Sequence, residues 1–281
     1  MTKKISGWLC FIIALGFFCL QMGYLLLHVK YQIEYVDNRL FYGINILIVI
    51  FLALSLFLLL TIKKNGKRFG AAFAILFITL NLVLLFIYDG KIKNVIDISP
   101  DFKHVFSLKI ERSTGKSVYY RTYYGVFGRA KATLPFETTY SHKVLWLTND
   151  TAAFTYKAKD QTIHQYIGTF GDRGGGNSYY NVGPQLQGTW AGKNVRIDCL
   201  PGGLTITQNG KSQAYEWKNI VQFGTLAVVL LENNQAKWTI ALAENFKVNT
   251  AAITPQTGDI ILYKATMDDN KPIVLHPQAV E

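Results

Sequence analysis

The stretch IGTFGDRGGGNSYYNVG, residues 167–183, holds the residues whose types and spacing come closest to a chemical function. Consecutive glycines can turn their backbone N–H groups toward one point and form a nest for an anion. An arginine among them adds a planar, two-pronged donor for phosphate or carboxylate. Gly171, Asp172, Arg173, Gly174, Gly175, Gly176 and Asn177 are therefore the candidate ligand-binding residues. The spacing Gly171-x-x-x-x-Gly176-Asn177-Ser178 also skirts a nucleotide-binding P-loop, with Asn177 where that loop needs its lysine. Asn177 brings no charge, and the SYYNV that follows reads as a strand. A P-loop instead passes directly into a helix whose N-terminus faces the phosphate, so the pattern argues against an ATPase. The plainer alternative is a hairpin loop in which Asp172 caps the turn and the glycines supply positive φ.

Other residues capable of chemistry are scattered. Gly115-Lys116-Ser117 and Gly210-Lys211-Ser212 lack the upstream glycine of a P-loop and read as hairpin tips. His104, His142, His164 and His276 show no metal-ligand spacing such as H-x-x-x-H, and no C-x-x-C is present. A hydrolase could be assembled from Cys199 and a distant histidine, but alternation in VRIDCL buries Cys199 with Val195 and Ile197. Asp268-Asp269 reads as a solvated terminal turn. No catalytic residue, metal or cofactor is expected.

The elements that must position these residues fall into two textures. Half of the 281 residues are hydrophobic and 17% are charged, with the apolar runs concentrated before residue 89. Three stretches, 5–29, 40–62 and 69–88, contain no Asp, Glu, Lys or Arg. A bilayer-spanning helix needs about 20 such residues, and these are apolar all round, unlike the core helices of a soluble protein. The first run is too long for a signal peptide and lacks a small-residue cleavage site. The segment KKNGKR carries Lys63, Lys64, Lys67 and Arg68 without an acid, whereas KYQIEYVDNR mixes both signs. Basic loops stay on the cytoplasmic side, so the N-terminus and KKNGKR are expected inside and everything after Tyr88 outside. Each span holds one carboxamide, Gln21, Asn45 and Asn81, expected to hydrogen-bond between helices. The absence of formal charge within the spans argues against an ion carrier.

From about residue 96 onward, after a linker at 89–95, short runs rich in Val, Ile, Tyr, Phe, Trp and Thr alternate with turns, among them Asn209-Gly210. The expected fold is a three-helix transmembrane domain, 1–88, followed by an all-β extracytoplasmic domain, 96–281. That domain is read as an antiparallel two-layer sandwich or meander, with a propeller-like array as the alternative. Cys199 is the one cysteine beyond the spans, so that domain has no internal disulfide and must rely on its core.

The segments Trp146-Leu147-Thr148-Asn149-Asp150, Ile163-His164-Gln165-Tyr166-Ile167 leading to Gly171-Asp172-Arg173-Gly174, Phe223-Gly224-Thr225-Leu226-Ala227 and Lys237-Trp238-Thr239-Ile240-Ala241-Leu242 resemble a group of uncharacterised membrane-anchored proteins of Gram-positive bacteria. The resemblance covers most of the β-domain. It implies an envelope location and no particular activity. The net charge of +11 splits into about +6 over residues 1–88 and +5 beyond them. The second part is too mild for a nucleic-acid partner and suits anionic wall polymers or lipid headgroups. The sequence thus points to a non-enzymatic binding or sensing module for an envelope polymer or another membrane protein. Its rivals are an envelope hydrolase or transferase built from scattered residues and a structural subunit of a membrane complex.

Overall fold

The computed structural model describes residues 2–61, 63–174, 179–248 and 257–278. The chain divides into two compact units, Met1–Ile96 with Ser107–Thr133, and Asp97–Phe106 with Leu134–Glu281.

In the first unit, α1 (Thr2–Tyr31), β1 (Ile33–Tyr35), α2 (Arg39–Leu59) and α3 (Lys64–Lys91) are followed by β2 (Ile92–Ile98), β3 (Val105–Glu111), β4 (Ser117–Tyr123) and β5 (Phe127–Thr133). The three helices are long and apolar enough to cross a membrane. Few of their side chains are buried, as suits helices surrounded by hydrocarbon. Those of α1 are Gly7, Ala14, Gln21 and Tyr24, the first three at seven-residue intervals, the period of a left-handed helix pair. A Cβ on Gly7 would stand 2.7 Å from Cγ of Leu59, so the glycine lets α1 and α2 approach closely.

Two expectations change here. Residues Lys64 to Arg68 of KKNGKR are not loop but the first turn of α3. Cations at a helix N-terminus oppose the helix dipole by about 0.3–1 kcal/mol each, so local helix stability does not explain their presence. Residues 89–95, expected as a linker, complete α3 and begin β2. The loop between α1 and α2 also contributes a strand: the sheet order is β1-β5-β4-β3-β2, with Ile33 opposite Arg129 and Tyr35 opposite Phe127.

The second unit contains β6 (Thr138–Thr148), β7 (Thr151–Ala158), β8 (Ile163–Thr169), a single helical turn α4 (Val182–Gln185), β9 (Gly188–Gly192), β10 (Val195–Leu200), β11 (Gly203–Gln208), β12 (Lys211–Glu216), β13 (Ile220–Phe223), β14 (Ala227–Glu232), β15 (Gln235–Leu242), β16 (Ile260–Lys264) and β17 (Ile273–Gln278). Nine strands, in the order β12-β11-β10-β9-β17-β16-β15-β14-β13, form one antiparallel sheet that curls nearly into a barrel, and β6-β7-β8 form a second. The side-chain period of two explains both layers. Val228, Leu230, Trp238, Ile240, Leu242, Ile260 and Leu262 fill the inside of the curl with Trp190, Ile197, Leu204 and Ile206. Their neighbours Ala227, Val229, Ala241, Ile261 and Tyr263 point the other way and pack against Leu147, Ala153 and Ile167 of the three-stranded sheet. The alanines let the two layers approach. Asn209 (φ 50°) and Gly210 (φ 76°) make the tight hairpin that their dipeptide predicts.

The all-β expectation is met. The sheets have five, nine and three strands, and among the described residues there is no repeated four-stranded blade such as the propeller-like alternative needs. The SYYNV segment is not a strand: Tyr179 to Asn181 are irregular and lead into α4.

Candidate functional site

The glycine loop is built around an ion pair that the sequence analysis did not foresee. Arg173 donates from both terminal nitrogens to Asp150 in the turn between β6 and β7, from Nε to Ala243 O (2.7 Å) and from Nη2 to Leu242 O (3.2 Å). Its side chain is 7% exposed. The planar fork that could have met a ligand anion is thus occupied by the protein's own carboxylate and carbonyls. Burial by itself raises the Asp150 pKa, but hydrogen bonds from Arg173 and Thr148 outweigh it and hold the carboxyl below the ordinary range. Asp172 accepts the Gly174 N–H at 2.9 Å, and the Arg173 N–H donates to the Tyr180 hydroxyl at 2.9 Å. A Cβ on Gly171 would lie 2.9 Å from Asp150 Oδ2, so glycine is needed for the pair to close. Gly175, Gly176 and Asn177 lie outside the described residues. In the described part, the loop is a staple tying residues 171–174 to the β6–β7 turn and the end of β15.

The carboxamides lie at two places. Asn45 of α2 donates to Asn81 of α3 (3.3 Å), which itself donates to Phe77 O (3.0 Å). Gln21 of α1 donates to Phe41 O (3.4 Å) and accepts from the Tyr35 hydroxyl (3.3 Å).

A second polar cluster, unread in the sequence, sits beside β1. Lys109 of β3 is only 6% exposed. Its ammonium donates to Glu34 Oε2 (2.5 Å), Asn38 Oδ1 (2.9 Å) and Tyr35 O (3.0 Å), and lies 4.4 Å from the centre of the Tyr120 ring. Burial lowers its pKa, against which the Glu34 hydrogen bond and charge act. Burial, with Glu34 nearby, raises that of Tyr120. All three ammonium protons have partners, so this lysine holds structure and is not a free base or nucleophile.

Nucleophilic and metal chemistry find little support. Cys199 is 1% exposed in the curled sheet's core, and burial pushes its thiol pKa up to about 12, so almost no thiolate forms at neutral pH. His164 stacks on Phe136, with ring centres 3.7 Å apart, and His104 stacks on Phe170 at 5.1 Å. His276 pairs with Asp259 at 2.7 Å. Among the described residues no group of three or more His, Cys, Asp or Glu could hold a metal ion.

A cleft of about 660 Å³ lies in the second unit, between the hairpin β11–β12 and strands β14–β16. Its floor is apolar, with Ile206, Ala236 and Trp238 buried. Its rim carries Lys211, Lys237, Lys264, Gln213 and Glu232. Glu232 is shared between Lys237 (3.2 Å) and a hydrogen bond from Gln213. Lys264 stands 6.0 Å over the Trp238 ring, and Lys211 has no acidic partner among the described residues. Three lysines against one glutamate make the rim locally cationic. Period-two alternation along β12 puts Lys211 on the face of Gln213 and Tyr215, the face on which the cleft opens; the convergence of β12 with β14 arises from sheet curvature that no local pattern encodes.

Compared with protein-family models, with curated proteins and with solved structures, the chain matches none. Function therefore has to be argued from the sites themselves.

Proposed function

We propose that this chain is a multi-pass membrane protein of a Gram-positive cell envelope, holding a β-unit outside the membrane as a non-enzymatic binding module for an anionic envelope polymer. The observation that carries the reading is the lysine-rimmed, apolar-floored cleft beside the β12 edge strand. The second unit is close to neutral, with thirteen Lys and Arg against fourteen Asp and Glu. Attraction is therefore local to the cleft and involves no long-range field, which fits a polymer already held at the cell surface more than a ligand steered from solution. The buried thiol of Cys199 weighs against the hydrolase alternative.

Orientation follows the basic residues at the start of α3. The pairing of β1 with β5 fits the proposed number of crossings, because the α1–α2 loop and the first unit's sheet then share a side.

The test is co-sedimentation of the detergent-solubilised full chain with Gram-positive walls, intact or stripped of their phosphate polymers. Salt-sensitive binding to intact walls alone is expected, reduced about tenfold or more by Lys211→Glu with Lys264→Glu. Equal binding to stripped walls, or no effect of the two substitutions, removes the cleft from consideration.

A further inference from the structure

We propose that the β4–β5 hairpin is a lipid-contact surface. Arg121 and Arg129 would bind the phosphates of anionic headgroups in the leaflet at which α1 ends and α2 begins, with Tyr124 set at the membrane–water interface. The inference is independent of the cleft and rests on the first unit alone.

Position comes first. β1 occupies the short connection between Tyr31, the end of α1, and Arg39, the start of α2, so it lies within a few residues of the hydrocarbon boundary. β5 is its antiparallel partner, and Val36 N–H continues the pairing to Val126 O at 2.9 Å. Tyr24 of α1 stacks on Tyr35, ring centres 4.0 Å apart, and Tyr35 on Phe127 at 5.4 Å, an aromatic column from helix to sheet. Arg129 lines a cavity of about 280 Å³ together with His28 and Gln32 at the end of α1 and with Glu34, whose carboxylate is held by Lys109.

Charge comes second. Arg121 of β4 stands directly opposite Arg129 of β5, both exposed. Like charges directly opposite on neighbouring strands repel. Neither arginine has an acidic partner among the described residues, whereas the nearby Glu34 and Asp37 are taken by Lys109 and Arg39. An anion between the two guanidinium groups would reverse the repulsion, and a phosphate matches their fork geometry. The surroundings agree. Residues 30–39, 89–96 and 107–133 carry ten Lys and Arg against four Asp and Glu, and thus hold the chain's positive excess outside the KKNGKR side.

The hairpin tip comes third. Tyr124 is 95% exposed, flanked by exposed Tyr123 and Val126. An exposed tyrosine at this position is well suited to the headgroup region, where tyrosine rings concentrate.

The test uses the full chain in lipid nanodiscs. Tyr124→Cys is labelled with an environment-sensitive fluorophore, in a background with Cys10 and Cys19 replaced by alanine. Expected are a blue-shifted emission and quenching by lipids carrying a quencher at headgroup depth, stronger by several-fold in phosphatidylglycerol than in phosphatidylcholine discs. Arg121→Gln with Arg129→Gln should abolish that difference, and the double lysine variant should keep most of it. An intrinsic control is thermal stability: anionic lipid should raise Tm in the native chain and not in the glutamine variant. A label that stays solvent-exposed in both lipids overturns the proposal. So does quenching indifferent to the arginines. Stabilisation of the detergent-solubilised chain by inorganic phosphate to the same extent would make this a free-anion site and likewise overturn it.

Discussion

Arg173 shows how a residue type can suggest one chemistry while its surroundings impose another. A guanidinium among glycines reads as an anion site, yet here the anion is Asp150, and two main-chain carbonyls complete the set. The partner lies 23 residues away in a turn, a separation with no signature in sequence. Removing one partner of a buried pair leaves an uncompensated charge and costs about 3–5 kcal/mol. Arg173→Ala should therefore lower the Tm of the detergent-solubilised chain by roughly ten degrees. The pH dependence has a definite sign. The folded-state pKa of Asp150 is depressed, so the pair's contribution is complete above the unfolded value of about 4 and is lost as pH falls through the lower folded value. The Tm gap between native chain and variant should stay constant from pH 8 to about 6 and narrow in acid, as the unpaired carboxyl of the variant takes up a proton. A gap that widens in acid would show that Asp150 is not the relevant partner.

At the scale of elements, the strands were legible wherever one face meets a core. The runs VRIDCL and LTITQ alternate and became β10 and β11, and the dipeptide Asn209-Gly210 marked the turn beyond them. AVVLLE is buried on both faces and so carries no alternation; its composition marked it as a strand, while its place between two cores was invisible. β1 was missed because three residues inside a ten-residue charged connection carry too little pattern, and the burial of Lys109 had no signal because that same strand covers it. The ammonium bonded to Glu34, Tyr35 O and Asn38 fastens β1 to β3. Lys109→Met should cost about 3 kcal/mol, at the low end for a broken buried pair because Glu34 keeps 30% exposure. Adding Glu34→Gln should restore a large part of that stability, since the stranded carboxylate is the main penalty. Limited proteolysis in the α1–α2 connection should report the same order: single variant fastest, double variant slower, native chain slowest. Equal cleavage of all three would mean that the lysine does not hold β1.

For the whole molecule, the distribution of charge is more informative than its sum. The first unit carries sixteen Lys and Arg against four Asp and Glu, and the second thirteen against fourteen, so the formal +11 belongs entirely to the unit containing the three apolar helices. Within that unit the cations lie in two groups: Lys3 and Lys4 at the start of α1 together with four at the start of α3, and ten around the five-stranded sheet. Those at the start of α3 are placed against the helix dipole, a cost that the proposed membrane orientation would account for and local stability does not. Both groups are basic, so side-chain counts alone leave orientation less decided than the KKNGKR segment suggests. The β1–β5 pairing bears on the number of crossings and not on their direction: the α1–α2 connection and the sheet share one side, as the proposed crossings by α2 and α3 between them require. In the proposed orientation, a single cysteine at Tyr124, with Cys10 and Cys19 replaced by alanine, should react in intact cells with a maleimide that cannot cross membranes. A cysteine at Asn65, in the first turn of α3, should react only after permeabilisation. Cys199 is too buried to contribute. Labelling of Asn65→Cys in intact cells with Tyr124→Cys protected would invert the orientation and turn the cleft toward the cytoplasm. The polymer reading would then fall, while the arginine pair would still face lipid phosphates, those of the inner leaflet.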